Sequence, residues 1–363
     1  MRPPFRADHV GSLLRPPELL RARAEHAPDL RALEDEAIAA VVRMQEEVGL
    51  RSATDGEFRR GSWVHDFGAA LDGVQIVTPE DAPIQRDERG RIEAPGGGTF
   101  FRFSGRIGLG ETIFADDFRF LRAQTTTATP KLTIPSPSML HYRAGGAAIE
   151  AVYDDLDEFW DDVVAAYREE LRRLAELGCT YLQLDDTSLA YVNDPRQREF
   201  IARIGGDPEH QHMTYIAQLN RVLAEKPAGM TVTVHLCRGN LRSSWMAEGG
   251  YDFVAEPLFG ELDVDGFFLE YDDARSGTFE PLRFVPPEKR VVLGLVTTKR
   301  GELESKDELK RRIEEASGFV PLDQLCLSPQ CGFASVVEGN AITHDEQVAK
   351  LRLVVETAAE VWS

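Results

Sequence analysis

The chain has 363 residues, 42% of them apolar, and carries a formal net charge of −20 from 61 acidic against 41 basic residues. That length exceeds a usual single domain but lies within the range of an eight-fold α/β barrel with insertions. The acidic balance opposes binding to nucleic acid or to an anionic membrane, and no run of about 18 apolar residues is available for a membrane span. The N-terminal MRPPFRADHVGS has no apolar stretch that could serve as a signal peptide. With only four cysteines, too few for a disulfide framework at this size, the expected location is a reducing cytoplasm.

In chain order, strand-like segments fall at 6–12, 52–57, 131–135, 181–186, 232–237, 266–270, 291–296 and 324–329. Several are almost continuously apolar, as parallel strands covered on both faces require. Helical patterns alternate with them. In 31–48, Leu33, Ala37, Ile38, Val41, Val42 and Val48 follow the 3.6-residue period, and Gly49 marks the stop. The segment 155–177 ends likewise at Gly178, and 306–317 and 345–362 complete the clearest set. Residues 72–127 break the rhythm with Pro79, Pro83, a Gly96-Gly97-Gly98 run and the β-prone GGTFFRFSGRIG. They read as an inserted loop and β-hairpin. Gly105, Gly108 and Gly110 within it have neither the spacing nor the strand–helix context of a dinucleotide fingerprint. The predicted architecture is a single (β/α)8 TIM barrel spanning 1–363, with its insertion near 72–127.

Polar and reactive residues gather where the apolar strands end: Ser12, Glu57, Asp185 with Asp186, His235 with Cys237, Glu270 and Cys331. In a (β/α)8 barrel the C-terminal strand ends are where catalytic residues converge. Positions i and i+2 of a strand share a face, so His235 and Cys237 can point at one ion. Zinc accepts imidazole nitrogen, thiolate sulfur and carboxylate oxygen in tetrahedral geometry. An H-x-C pair alone is equally compatible with cysteine as a small core hydrophobe. Cys331 strengthens the metal reading because it lies in a Pro-Gln-Cys-Gly turn, whereas Cys179 and Cys326 sit inside apolar segments and read as core. Asp186, facing away from Asp185 if the strand persists, reads as structural. His9 and His65 are weaker candidates for a place in the site.

Taken together, HLC, FLE and SPQCG resemble the C-terminal catalytic barrel of cobalamin-independent methionine synthase. VGS near residue 10, DGEFRR at 55–60, LQLDD at 182–186 and LGLVTTKRGELES at 293–305 extend the likeness over nearly the whole chain. The resemblance implies zinc held by His235, Cys237, Glu270 and Cys331; of these Glu270, a hard oxygen donor, is the ligand expected to be displaced most easily by a substrate sulfur. It implies an amino-acid substrate site at Ser12, Glu57 and Asp185, and methyl transfer to a small-molecule thiol, homocysteine, as a zinc-bound thiolate. A free thiol has a pKa near 8.5 and is mostly protonated at neutral pH, which is why such a reaction needs the metal.

Departures from the family pattern fall on the methyl-donor side. The position of the family's catalytic histidine is held by Lys299, and His141, with Tyr142 beside it, replaces the tryptophan that stacks on the folate pterin. Arg238-Gly239-Asn240 follows the zinc cysteine in place of the more usual residues, and only one barrel is present. The donor is therefore left as folate or corrinoid type, and alkylation of another thiol or by an epoxide stands as the alternative. A related decarboxylase barrel for tetrapyrroles needs no zinc, and the complete ligand quartet argues against it.

Overall fold

The computed structural model describes residues 2–77, 87–89, 91–92 and 100–363; Pro79, Pro83 and the Gly96-Gly97-Gly98 run lie outside the described residues. Its strands are β1 (Ser52–Ala53), β2 (Asp72–Val77), β3 (Phe100–Gly108), β4 (Thr129–Pro130), β5 (Leu132–Pro135), β6 (Tyr181–Asp186), β7 (Thr231–Leu236), β8 (Gly266–Glu270), β9 (Arg290–Val296) and β10 (Leu325–Pro329). From β5 to β10 they form one parallel sheet in chain order. At one edge Ala7 bridges Leu327 of β10 in parallel, and at the other β1 pairs in parallel with β4. The two short segments then meet: Ser52 Oγ donates to Asp8 Oδ1 at 2.8 Å, and the Leu13 N–H to the Gly56 carbonyl at 3.1 Å. This is the eight-segment parallel ring expected from the sequence.

Two of the expected strands are much shorter than predicted. Segment 6–12 retains only the Ala7 bridge, and segment 52–57 only two strand residues. Side chains take over the ladder there. Gln45 accepts the Thr54 N–H at 2.9 Å and donates to the Thr54 carbonyl at 2.9 Å, while Thr54 Oγ1 donates to the Gly11 carbonyl at 2.6 Å. Buried backbone groups need partners, and these polar side chains supply them without a strand.

The helices follow the periodic patterns closely, at Leu30–Glu47, Leu156–Glu176, Lys306–Ser317 and His344–Val361. Helix Leu156–Glu176 starts on Asp155, whose carboxylate accepts the Asp157 N–H, and buries Phe159, Val163, Tyr167, Leu171 and Leu174 against the barrel. Each such side chain taken out of water contributes about 1.5–3 kcal/mol. Within the insertion, β2 and β3 pair antiparallel, and Phe103 packs on Phe159 of this helix with ring centroids 5.6 Å apart. None of the described helices is long and apolar enough to cross a membrane.

Inside the ring, alternate residues face inward. At the N-terminal strand ends the interior is filled by a fully buried Asp8–Lys131 ion pair at 3.5 Å, with the Tyr181 hydroxyl donating to Asp8 at 2.8 Å and Lys131 Nζ to the His9 carbonyl at 2.5 Å. Val10, Phe268, Val292 and Cys326 form an apolar cluster of their own.

One buried carboxyl reports on the contact between insertion and barrel. Glu170 accepts the Ile113 N–H at 3.2 Å, and burial pushes its pKa up to about 8. A folded value above the unfolded value gives a contribution fully present below about pH 4 and lost as pH rises through 8. Glu170→Gln keeps an acceptor and removes the titration. Thermal or denaturant unfolding is expected to show this variant at least about 1 kcal/mol more stable than the parent at pH 8.5 and no more stable near pH 4. A variant that gains nothing at pH 8.5 contradicts this account of Glu170.

Candidate metal centre

Strand register builds the centre. Asp185 of β6 pairs with His235 of β7, and Leu236 with Leu269 of β8, so Cys237 comes beside Glu270. His235 and Cys237 share the inward face by the two-residue repeat. Cys331 arrives from the turn after β10. There the Gln330 N–H donates to the Val296 carbonyl at 2.8 Å, and the Gly332 carbonyl accepts Asn240 Nδ2 at 2.9 Å and Thr298 Oγ1 at 3.1 Å. Gly294 permits this approach, since a Cβ there would lie 2.6 Å from Gln330 Cα.

One donor atom from each of His235, Cys237, Glu270 and Cys331 lies within 4.8 Å of the others, and all four residues are buried. The sulfurs of Cys237 and Cys331 are 3.4 Å apart, and both are free thiols. Donors on 2.0–2.3 Å bonds around one tetrahedral zinc stand roughly 3.3–3.8 Å apart, so the spacing suits such an ion. Both His235 ring nitrogens and Glu270 Oε1 are buried without a hydrogen-bond partner. Orphaned buried donors and acceptors are costly, and a shared cation would satisfy one His235 ring nitrogen and the Glu270 oxygen together. Burial pushes Glu270 up to about 7, opposed by Lys299, and the hydrogen bond shared with Cys237 lowers the pKa of the Cys331 thiol. The residues present fit a zinc ion.

A cavity of about 390 Å³ opens over this cluster, lined by His235, Cys237 and Cys331 together with Ser12, Glu57 and Asp185. Glu57 has a left-handed backbone, φ 60°, held by Asp55 Oδ1 accepting its N–H at 2.9 Å and Arg15 donating to its carbonyl at 2.6 Å. Its Oε1 accepts Thr133 Oγ1 at 2.9 Å, and burial raises its pKa against the pull of Arg60. Asp185 accepts Gln183 Nε2 at 2.7 Å, and burial pushes it up to about 7 despite His235. Two carboxyls thus converge where a cationic ligand group would be strongly favoured. Ser12 packs directly beneath the Cys331 turn, for a Cβ on Gly332 would lie 2.0 Å from Ser12 Oγ.

The remaining candidates separate. Lys299 is not among the cavity-lining residues, and its Nζ pairs with Asp272 at 3.3 Å. His141 stacks on Trp160 at 5.7 Å and its Nδ1 meets the Tyr215 hydroxyl at 2.9 Å, while Tyr142 donates to Gln197 at 3.0 Å. Neither lines the cavity; the adjacent Arg143 does, with Trp63 and His65. His65 is held neutral by burial, its pKa near 4, whereas His9 is buried beside the Asp8–Lys131 pair. Asp186 is tied by Ser138, Ser188 and the Leu189 N–H at 2.5, 2.8 and 2.8 Å. Trp63 and Arg143 were missed from sequence, since no periodicity or spacing distinguishes them, and Asn240, also in the lining, stood out there only as part of the departure after Cys237.

Residues 147–360 match the family model for the catalytic domain of cobalamin-independent synthase. The uncharacterised Bacillus subtilis protein YxjH is 45% identical over 99% of this chain and 95% of its own. The chain belongs to the cobalamin-independent synthase catalytic-domain family. A Listeria monocytogenes crystal structure, described as a candidate vitamin-B12 independent methionine synthase, is 38% identical with a TM-score of 0.77, covering 99% of this chain and 98% of that one. A Shewanella B12-independent methionine synthase, solved with selenomethionine, shares the fold at 21% identity and a TM-score of 0.68, covering 98% of this chain and 97% of that one.

Cys179 and Cys326, by contrast with the ligand pair, are buried thiols whose pKa values burial pushes to about 12 and 11. Cys237→Ala and Cys331→Ala are each expected to lower zinc affinity by at least about 100-fold, while Cys179→Ala leaves it unchanged. Metal analysis after dialysis against a chelator reads this; equal zinc retention by all three variants refutes the ligand assignment.

Proposed function

We propose that this chain is a cytoplasmic zinc-dependent methyltransferase that methylates the sulfur of homocysteine to give methionine. The observation that carries this reading is the adjacency, at one cavity, of the His235–Cys237–Glu270–Cys331 cluster and the Asp185–Glu57 carboxyl pair. A zinc ion held by the four ligands supplies the Lewis acidity that keeps a substrate thiol deprotonated at neutral pH.

The chain's own residues do the rest. Glu57 and Asp185 receive the substrate ammonium by charge-assisted hydrogen bonds, and Ser12 orients the amino-acid moiety from under the Cys331 turn. Fixing the amino-acid end places the sulfur at the ligand cluster, so a donor carbon approaching in line meets it without a search; positioning of this kind supplies much of the rate. Trp63, His65 and Arg143 form the part of the wall left for the donor, of folate or corrinoid type. Lys299, paired with Asp272, acts on this reading through its charge on Glu270 rather than as a proton donor to substrate. The chain is read as one catalytic unit, insertion included.

The test is a zinc-loaded preparation supplied with homocysteine and, separately, methylfolate, methylcobalamin and a simple sulfonium donor, with methionine as the readout. Methionine from at least one donor is expected. No methionine from any, together with turnover of another thiol or of an epoxide, sinks the assignment. Asp185→Asn is expected to raise the homocysteine KM by about tenfold or more, because a buried charge-assisted contact of about 1.5–3 kcal/mol is lost. An unchanged KM refutes the role given to Asp185.

A further inference from the structure

Arg238, directly after the ligand Cys237, is only 1% exposed. Its Nε donates to the Gly249 carbonyl at 2.9 Å, and its Nη1 to the Tyr251 hydroxyl and the Glu270 carbonyl, each at 3.0 Å. The same Tyr251 hydroxyl accepts the Glu270 N–H at 2.9 Å. The guanidinium also lies 4.2 Å from the Tyr251 ring centroid, which fixes its plane. Both peptide groups of Glu270 are therefore held by one Arg–Tyr pair whose root is the neighbouring ligand.

The charge of this residue is as telling as its bonds. Arg238 Nη2 is buried without a partner, and among the described residues Arg238 forms no ion pair with a carboxylate. A buried cation left in that state is strongly unfavourable. Lys299, the other buried cation near Glu270, already has a carboxylate partner in Asp272 at 3.3 Å. Two thiolates and a carboxylate around a divalent ion leave one negative charge uncompensated, and Arg238 is the unpaired buried cation beside them.

We propose that Arg238 is a positioning residue of the metal centre, clamping Glu270 as fourth ligand and balancing the net negative charge of the filled site. The inference rests on the zinc reading above. Ligands are commonly oriented by outer-shell partners, whose loss costs about 10–100-fold in metal affinity.

The test uses the full chain and the metal alone. Zinc affinity is measured by chelator competition, and cobalt substitution gives a ligand-field spectrum, for the parent, Arg238→Met, Arg238→Lys and Tyr251→Phe. Arg238→Met is expected to lose about 10–100-fold in zinc affinity. Arg238→Lys, which keeps the charge but cannot hold Tyr251 and Glu270 together, is expected to recover most of that loss while its cobalt bands still differ from the parent's. Tyr251→Phe is expected to shift the cobalt bands with the charge intact. Parent-like cobalt bands in both Arg238→Lys and Tyr251→Phe overturn the clamp, even if Arg238→Met does not fold. Arg238→Lys losing as much affinity as Arg238→Met overturns the charge balance. A parent protein that takes up no zinc removes the metal reading itself, which is a different failure.

Discussion

The register of three neighbouring parallel strands is the constraint on which the site depends. Asp185 lies level with His235, and Leu236 with Leu269, so a slip of one residue in β7 would turn His235 and Cys237 out toward the helices. The apolar faces of the covering helices and the buried Asp8–Lys131 pair protect that register by covering the sheet outside and filling it within. What remains at the C-terminal ends is a set of inward positions that the barrel core does not need for packing.

Those positions hold an excess of latent negative charge. Glu57, Asp185, Glu270 and two free thiols face or adjoin one cavity, and burial raises all three carboxyls toward neutrality. Such a site is poised for cations. On the proposed reading one is a metal at the sulfur end, and the other an ammonium group at the carboxyl end. The two are complementary, because a ligand carrying both a thiol and an ammonium bridges them. Arg238, bonded to the Glu270 carbonyl, and the Lys299–Asp272 pair are the buried charged groups proposed to balance the metal end.

Much of this was legible in the chain. Helix Lys306–Ser317 matches its periodic segment, and the inward i, i+2 placement of His235 and Cys237 follows from strand geometry alone. What was not legible depends on groups distant in sequence. Strand-like 52–57 yields a two-residue strand because Gln45, seven or more residues upstream, caps Thr54 from both sides. Alignment by position put Lys299 in a catalytic slot, yet its direction is decided by Asp272, and His141 turns toward Trp160 rather than the cavity. Arg238 showed in the sequence only as a departure after the ligand cysteine; its partners Tyr251 and Glu270 come together only in the folded barrel.

Thiol activation at the metal cluster is the central claim, and proton release reads it directly. Calorimetric titration with homocysteine in buffers of different ionisation enthalpy, at pH 7, counts protons released on binding. Methionine, which offers the same ammonium but no thiol, serves as the reference. The zinc-loaded protein is predicted to release about one more proton with homocysteine than with methionine, because a thiol with a pKa near 8.5 must lose its proton there. The metal-free protein is predicted to show no such difference. Equal release for the two ligands in the zinc-loaded protein would contradict the account.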